Sequence, residues 1–408
     1  MVGFAIKMIE RGRSMGKVRN QKEKKERKKK KSNLGIVIIP MVVGAIFGAG
    51  AASLGFDIGI DGMAEVASFG EGMICLGISI VFALYLNLIL HEAGHMLCGL
   101  ISGYRFCSFR IGSFILISRR GKLCLKRFHI PGTGGQCLMA PPEKDENGHY
   151  PSILYNLGGV LMNLIIAILG WLLLLVVENP FGSIFLNIAI FMGIIYALTN
   201  GIPLKYAGIA NDGYNVYSLL KGKAGDACLY QQLDVYAKLM QGRRFGELSK
   251  EEVFVEGTVD YKNPLIATEK LNEYYWYLDQ MRLEEAGQVL EEMAASQESI
   301  MMLVRNMMNA ERLYLERITT NDQARIDELM TPELKSHLKK TNHDINMTRV
   351  CYSDALVSGD EKKIRRAQKQ FERCVKNYPV EGEIKMNVML IDYLKQKLEG
   401  EMSQAVNQ

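Results

Sequence analysis

The amino-acid sequence predicts an α-helical polytopic membrane protein with about four transmembrane helices, a small membrane-adjacent β-hairpin and a C-terminal all-α, tetratricopeptide-like domain. Three observations carry this. The long apolar runs are confined to residues 34–213. A lysine-rich run, residues 22–31, stands just before the first of them. Residues 214–408 are polar and show helical periodicity. Whole-chain averages hide the division, since 23% charged residues describes a soluble protein and the net charge of +5 sums opposed parts.

Residues 1–33 carry thirteen Lys or Arg against three Glu and read as a basic, disordered cytosolic tail. Runs of this kind also suit nucleic acid. Beside a membrane span they fix orientation and touch anionic lipid, which is the reading adopted here; no nucleic-acid partner is expected. The spans fall at about 34–54, 72–100, 153–177 and 184–204. Each reaches the ~20 apolar residues a helix needs to cross a bilayer. The first resembles an uncleaved signal anchor more than a secretory signal peptide. The eight cysteines are scattered without a Cys-x-x-Cys pair, as reduced thiols facing lipid or cytosol would be.

Charge in the connections orients the spans. Segment 56–71 has Asp57, Asp61, Glu65 and Glu71 but no Lys or Arg, and segment 178–183 has neither basic residue. Segment 102–150 carries eight basic residues. The positive-inside rule places both termini and segment 102–150 in the cytosol of a multi-pass protein in the cell membrane. Within that segment, residues 106–118 and 123–130 alternate partially around a turn at 119–122, predicting a hairpin that offers either a structural support or an edge to an extended peptide. The glycines of 132–135 and Pro141-Pro142 predict loop. The tail, 214–408, reads as a separate cytosolic helical domain. Ala367, Phe371, Cys374 and Pro379 have the spacing of a second tetratricopeptide helix, and 263–295 suggests a helix-turn-helix; a generic helical bundle is the plainer alternative.

The most specific signal is His91-Glu92-Ala93-Gly94-His95, at the end of the second span. On a helix the two histidines share one face a turn apart, the geometry of two ligands of one Zn²⁺, with Glu92 between them as general base. Ionisable groups inside a span are costly and usually functional. From Gly72, His91 and His95 lie ~28 and ~35 Å along the helix, near the cytosolic boundary of a ~30 Å core. A third ligand must lie at the same depth. The fourth span runs inward, is broken by Gly201 and Pro203, and is followed by Asp212, which satisfies that condition. Glu178 and the acids of 57–71 lie on the outer side, and Glu143, Asp145 and Glu146 lie in a soluble loop. Asn87, one turn before His91, reads either as a support for the metal ligand or as an interhelical hydrogen bond. Asn156 has the same two readings or caps the third span. His129, His149, His337 and His343 lack partner spacing and read as ordinary histidines.

With these residues the chain resembles the site-2 protease family of intramembrane zinc metalloproteases. The matching pieces are His91-Glu92-Ala93-Gly94-His95, Gly159-x-x-x-Asn163 in the third span, and Asn200-x-x-Pro203 followed by Asp212-Gly213, in the same order over three consecutive spans. The resemblance covers about residues 72–220. It implies that three spans form the protease core, that His91, His95 and Asp212 bind Zn²⁺, and that Glu92 is the catalytic base. It implies further that Asn163 and Asn200 orient substrate or polarise its carbonyl. The stretch 204–211 departs from the family pattern, which carries a further proline there.

The reaction so implied is hydrolysis of a peptide bond in or beside a transmembrane segment of a membrane-bound substrate, as in regulated intramembrane proteolysis, and the resemblance implies a bacterial membrane enzyme. The competing classes are a catalytically inactive, protease-like scaffold or receptor signalling through the helical domain, and a lipid-bound adaptor. The intact Glu92 argues against inactivity. The helical domain could receive a regulatory protein, recruit substrate or gate the site, and no residue in it chooses among these.

Overall fold

A computed structural model describes residues 69–406, except 120, 131–132, 147, 207–208, 221–224, 256 and 258. The basic tail and the first expected span, about 34–54, lie outside the described residues. Three helices among them are long and apolar enough to cross a membrane: α1 (Phe69–Ile101), α2 (Ser152–Leu174) and α3 (Pro180–Gly201). Their unburied residues, such as Ile78, Phe82, Leu164, Ile168 and Trp171, are large and apolar, as a hydrocarbon surround demands.

The helix ends differ from the sequence reading for local reasons. α3 begins four residues before the expected 184, because Pro180 is preset for a first helical turn and Asn179 caps it, its Oδ1 accepting from Phe181 N at 2.9 Å and Gly182 N at 3.3 Å. It stops at Gly201 rather than 204, since Pro203 drives Ile202 out of the helical region. α2 ends at Leu174, where Leu175 and Val176 bond to carbonyls three residues back.

The chain forms two compact units. Of the first, residues 69–76 and 177–187 are described; they include the Asn179 cap and a bond from Ser183 Oγ to Val177 O at 3.3 Å. The second comprises Gly77–Val176 with Ile188–Gln408. In it α1 and α2 touch backbone to backbone. A Cβ at Gly94 would lie 2.2 Å from Gly158 O, and one at Gly158 would lie 2.4 Å from Gly94 O, so only glycine permits the crossing.

The segment between α1 and α2 forms a four-stranded antiparallel sheet rather than a single hairpin: β1 (Arg105–Ile111), β2 (Phe114–Arg119), β3 (Lys122–Arg127) and β4 (Gly135–Ala140), in the order β3-β2-β1-β4. The expected first strand is two strands, folded at Gly112 with φ +57. The expected turn between residues 119 and 122 is present, Arg119 pairing Lys122. Of the glycine-rich stretch expected as loop, only Gly135 enters a strand, opening β4 opposite Ile111. Glycines weakened the strand signal there, and pairing with β1 overrides it.

Past α3, the stretch 204–211 folds into a two-stranded hairpin, β5 (Lys205–Tyr206) and β6 (Ile209–Ala210), before α4 (Asp212–Leu220). The rest is helical, and the short α6 (Lys250–Val253) precedes the next pair. The pair suggested at 263–295 is α7 (Pro264–Asp279) and α8 (Leu283–Ala295), turning at Met281 with φ 58. Helices Ile345–Ser358 and Glu361–Asn377 form another pair, joined through Gly359 at φ +67. Their core holds a fully buried Arg349–Glu311 ion pair, with Tyr274 and Tyr275 hydroxyls donating to Glu311 at 2.7 and 3.0 Å.

This helical region and the sheet share one core. Ile115 and Ile117 of β2 are buried with Leu239, Tyr274 and Leu390. Lys126 Nζ donates to Tyr378 O at 2.7 Å, and Arg119 pairs Glu381 at 2.9 Å. Helix α5 (Gly225–Met240) packs on β4 through Leu233 and Ala237.

Candidate metal centre and active-site cavity

α1 carries the His91-Glu92-Ala93-Gly94-His95 segment as two imidazoles and a carboxyl, all three buried. The two Nε2 atoms are 3.2 Å apart. Asp212, first residue of α4, brings Oδ2 to 3.3 Å from each. Among the described residues, His91, His95 and Asp212 form the one group of His, Cys, Asp or Glu clustered to hold a metal ion.

The imidazoles are fixed from behind. His91 Nδ1 donates to Asn163 Oδ1 at 2.7 Å, and His95 Nδ1 donates to the Tyr155 carbonyl at 2.8 Å. Both acceptors are oxygens, so each ring carries its proton on Nδ1 and turns a bare Nε2 toward the centre. Asp212 Oδ2 is buried and accepts no hydrogen bond. Three lone-pair donors 3.2–3.3 Å apart repel one another without a cation among them. Ligands about 2.0–2.1 Å from a shared tetrahedral Zn²⁺ sit about 3.3 Å apart, so the donor set fits that ion.

Asp212 reaches this point through Asn211. Its Nδ2 donates to Thr199 O and Ile202 O, both at 2.7 Å, at the end of α3. Its Oδ1 accepts from Leu204 N at 3.0 Å and from Tyr214 N at 2.9 Å, the latter capping α4. The β5–β6 hairpin that lengthens this stretch is thereby closed, and the next residue is delivered to the histidines.

Glu92 lies beside the triad, against β4. Its Oε1 would be 2.5 Å from a Cβ at Gly135, and the Cys137 backbone N–H faces the carboxyl. The buried Arg110 braces the same strand entrance, donating to Gly112 O at 2.9 Å, Thr133 Oγ1 at 2.5 Å and Gly135 O at 3.2 Å.

Asn163 corrects one expectation. Instead of facing substrate it is fully buried behind His91, with Nδ2 donating to Asn87 O at 3.1 Å and Asn87 Oδ1 at 3.2 Å. Asn87 makes the interhelical bond, its Nδ2 reaching across to Ala189 O on α3 at 3.1 Å, and it touches the histidines only through Asn163. Asn200 lines the cavity, with Nδ2 donating to Tyr196 O at 2.9 Å. Asn156 joins α2 to α4, its Oδ1 accepting from Asn215 Nδ2 at 3.2 Å. Tyr155 escaped the sequence reading. Its carbonyl holds His95, its hydroxyl donates to Cys137 O at 3.0 Å and its ring stacks on Tyr104. An aromatic residue in an apolar helix carries no signal for such a role.

The triad and Glu92 open into a cavity of about 600 Å³. Its walls come from α1, α2, β4 and α4, and also from α5, α7 and Met301 of the helical region. Compared with known proteins, the chain matches the model of peptidase family M50 over residues 79–359. No curated protein and no solved structure matches it.

Proposed function

Because the chain belongs to peptidase family M50, a family of membrane-embedded zinc metalloproteases, we propose that it is a zinc metalloendopeptidase of site-2 type that cuts substrates in or next to their transmembrane segments. The observation that carries this reading is the convergence of two bare imidazole nitrogens and an unpartnered carboxylate oxygen beside Glu92. His91, His95 and Asp212 would hold Zn²⁺. When bound, the ion would polarise the scissile carbonyl and acidify a water, a role zinc fills in hydrolases generally.

The chain's own residues do the rest. Glu92 takes the proton from the attacking water and passes it to the leaving amine nitrogen as the C–N bond breaks. Asn163 and the Tyr155 carbonyl keep both imidazoles in the tautomer that ligates metal. Asn200, on the cavity wall, would meet the substrate carbonyl. A helical amide is hydrogen-bonded and shielded, so the substrate must unwind. The strand nearest Glu92 is β4, outside the hairpin expected over residues 106–130, and the unwound segment would lie along it.

The N-terminus, segment 102–150 and the helical region would face the cytosol, in a four-span arrangement with the basic tail on anionic lipid. The paired helices suit a tetratricopeptide-like module that receives a regulatory protein. Zinc content and cleavage of a single-span substrate test the enzymatic reading. Wild type should bind one zinc and cleave; Glu92→Gln should keep the zinc and lose at least about a hundredfold in rate. Equal cleavage by both forms would exclude Glu92 as base, and wild type without zinc would exclude the site.

A further inference from the structure

The cavity in front of the triad is walled on one side by the helical region, and that wall has a distinct chemistry. Apart from Glu92 and Asp212, its described lining contains no carboxylate and one lysine, Lys205, yet it contains seven carboxamides. Some of these are structural, such as Asn211. Others are not. The side chains of Gln136, on β4, and Gln232, on α5, line the cavity and make no hydrogen bond within the described protein. The contrast with the adjacent Gln231 is direct, since its Nε2 donates to Glu252 O and Phe254 O, both at 3.0 Å, and ties down the 252–254 turn. Asn263 uses its Oδ1 to cap α7, accepting from Leu265 N at 3.1 Å, and keeps its amide hydrogens. Leu229, Leu233 and Met301 add apolar surface between these polar groups.

A carboxamide offers one acceptor and two donors side by side, the complement of a peptide backbone. A neutral lining rich in such groups, with apolar gaps, matches an extended polypeptide read through its main chain. It does not match an acidic or basic partner, which would need opposed charge. A cavity of about 600 Å³ holds a few residues of chain.

We propose that the helical region completes the substrate cleft: an extended stretch of the substrate, flanking the scissile bond, lies in the cavity lined by β4, α5 and the start of α7, with its backbone hydrogen-bonded by Gln136, Gln232 and Asn263. This rests on the proteolytic reading above and adds to it the recognition of an unfolded flank, largely independent of that flank's side chains. A substrate whose membrane helix continues as a rigid helix on this side is excluded until it unwinds.

The test uses the full chain in lipid nanodiscs with Glu92→Gln, so that binding is read without turnover, and p-benzoylphenylalanine in place of Leu229. The probe is a synthetic single-span peptide with a seven-residue Gly/Ser/Ala flank, compared with the same peptide N-methylated at alternate flank amides. The expected result is saturable photo-crosslinking to the flank, weakened about tenfold by N-methylation and about fivefold by Gln232→Leu, the loss of one or two hydrogen bonds. The N-methyl comparison leaves the protein unaltered and decides the matter even if Gln232→Leu does not fold. Absence of a flank crosslink, equal crosslinking by both peptides, or crosslinking only to residues 1–68 of the chain itself overturns the proposal. Failure of the proteolytic reading would show separately, as wild-type protein without zinc or cleavage.

Discussion

The orientation of His91 is set by one carboxamide. Asn163 Oδ1 takes its Nδ1 proton and Asn87 holds Asn163 in turn. Asn163→Ala should therefore leave the helices in place but lower zinc affinity about 10–100-fold, read by competition with a chromogenic chelator. Unchanged affinity would show that the ring needs no support. Glu92 is constrained differently, by a missing side chain. A methyl at Gly135 would fall 2.5 Å from its Oε1, so Gly135→Ala should push the carboxyl aside. The expected signature is at least about tenfold lower kcat with zinc content intact, because a small displacement of a catalytic group is enough to cost that much. The histidines and Glu92 were legible as a motif because helix geometry fixes their spacing. Tyr155 was not, because its contribution is a backbone oxygen that any residue could supply.

At the scale of elements, the decisive piece is the bend between α3 and α4. Pro203 ends one helix, and Asn211 ties the end of that helix to the start of the next through four hydrogen bonds. Asn211→Ala should free this bend and move Asp212, lowering zinc affinity at least about tenfold while His91 and His95 stay fixed. Isothermal titration with Zn²⁺ measures it, and a wild-type affinity would mean that packing of α4 on α2 alone places the aspartate. The break itself could be read from the sequence, because proline acts locally. The β5–β6 hairpin and strand β4 could not, since a two-residue strand, or a short strand that follows a glycine-rich loop, exists only through its partner.

Across the whole molecule, the helical region carries its own titration. Glu269 of α7 is fully buried, and its carboxyl is pushed from its ordinary 4.5 up to about 8, first by burial and then by Glu273, against a bond from Asn272. The folded state thus holds a proton that the unfolded state releases. Its stabilising share is full below pH 4.5 and is lost as pH rises toward 8. Glu269→Gln should flatten this loss, so that the variant exceeds wild type in Tm by several degrees at pH 8 and not at pH 5. Differential scanning fluorimetry across that range decides it, and parallel Tm profiles would contradict the burial argument. The same region belongs to one compact unit with the sheet.

By itself the sequence determined the apolar helices, the His-Glu-x-x-His face and the need for an acid at matching depth, because each follows from local periodicity and composition. The tertiary structure alone decided which side chains stand behind the histidines, which strand meets Glu92, and that the helical region walls the cavity. Those relations join residues far apart in the chain, through packing and hydrogen bonds that leave no periodic trace in it.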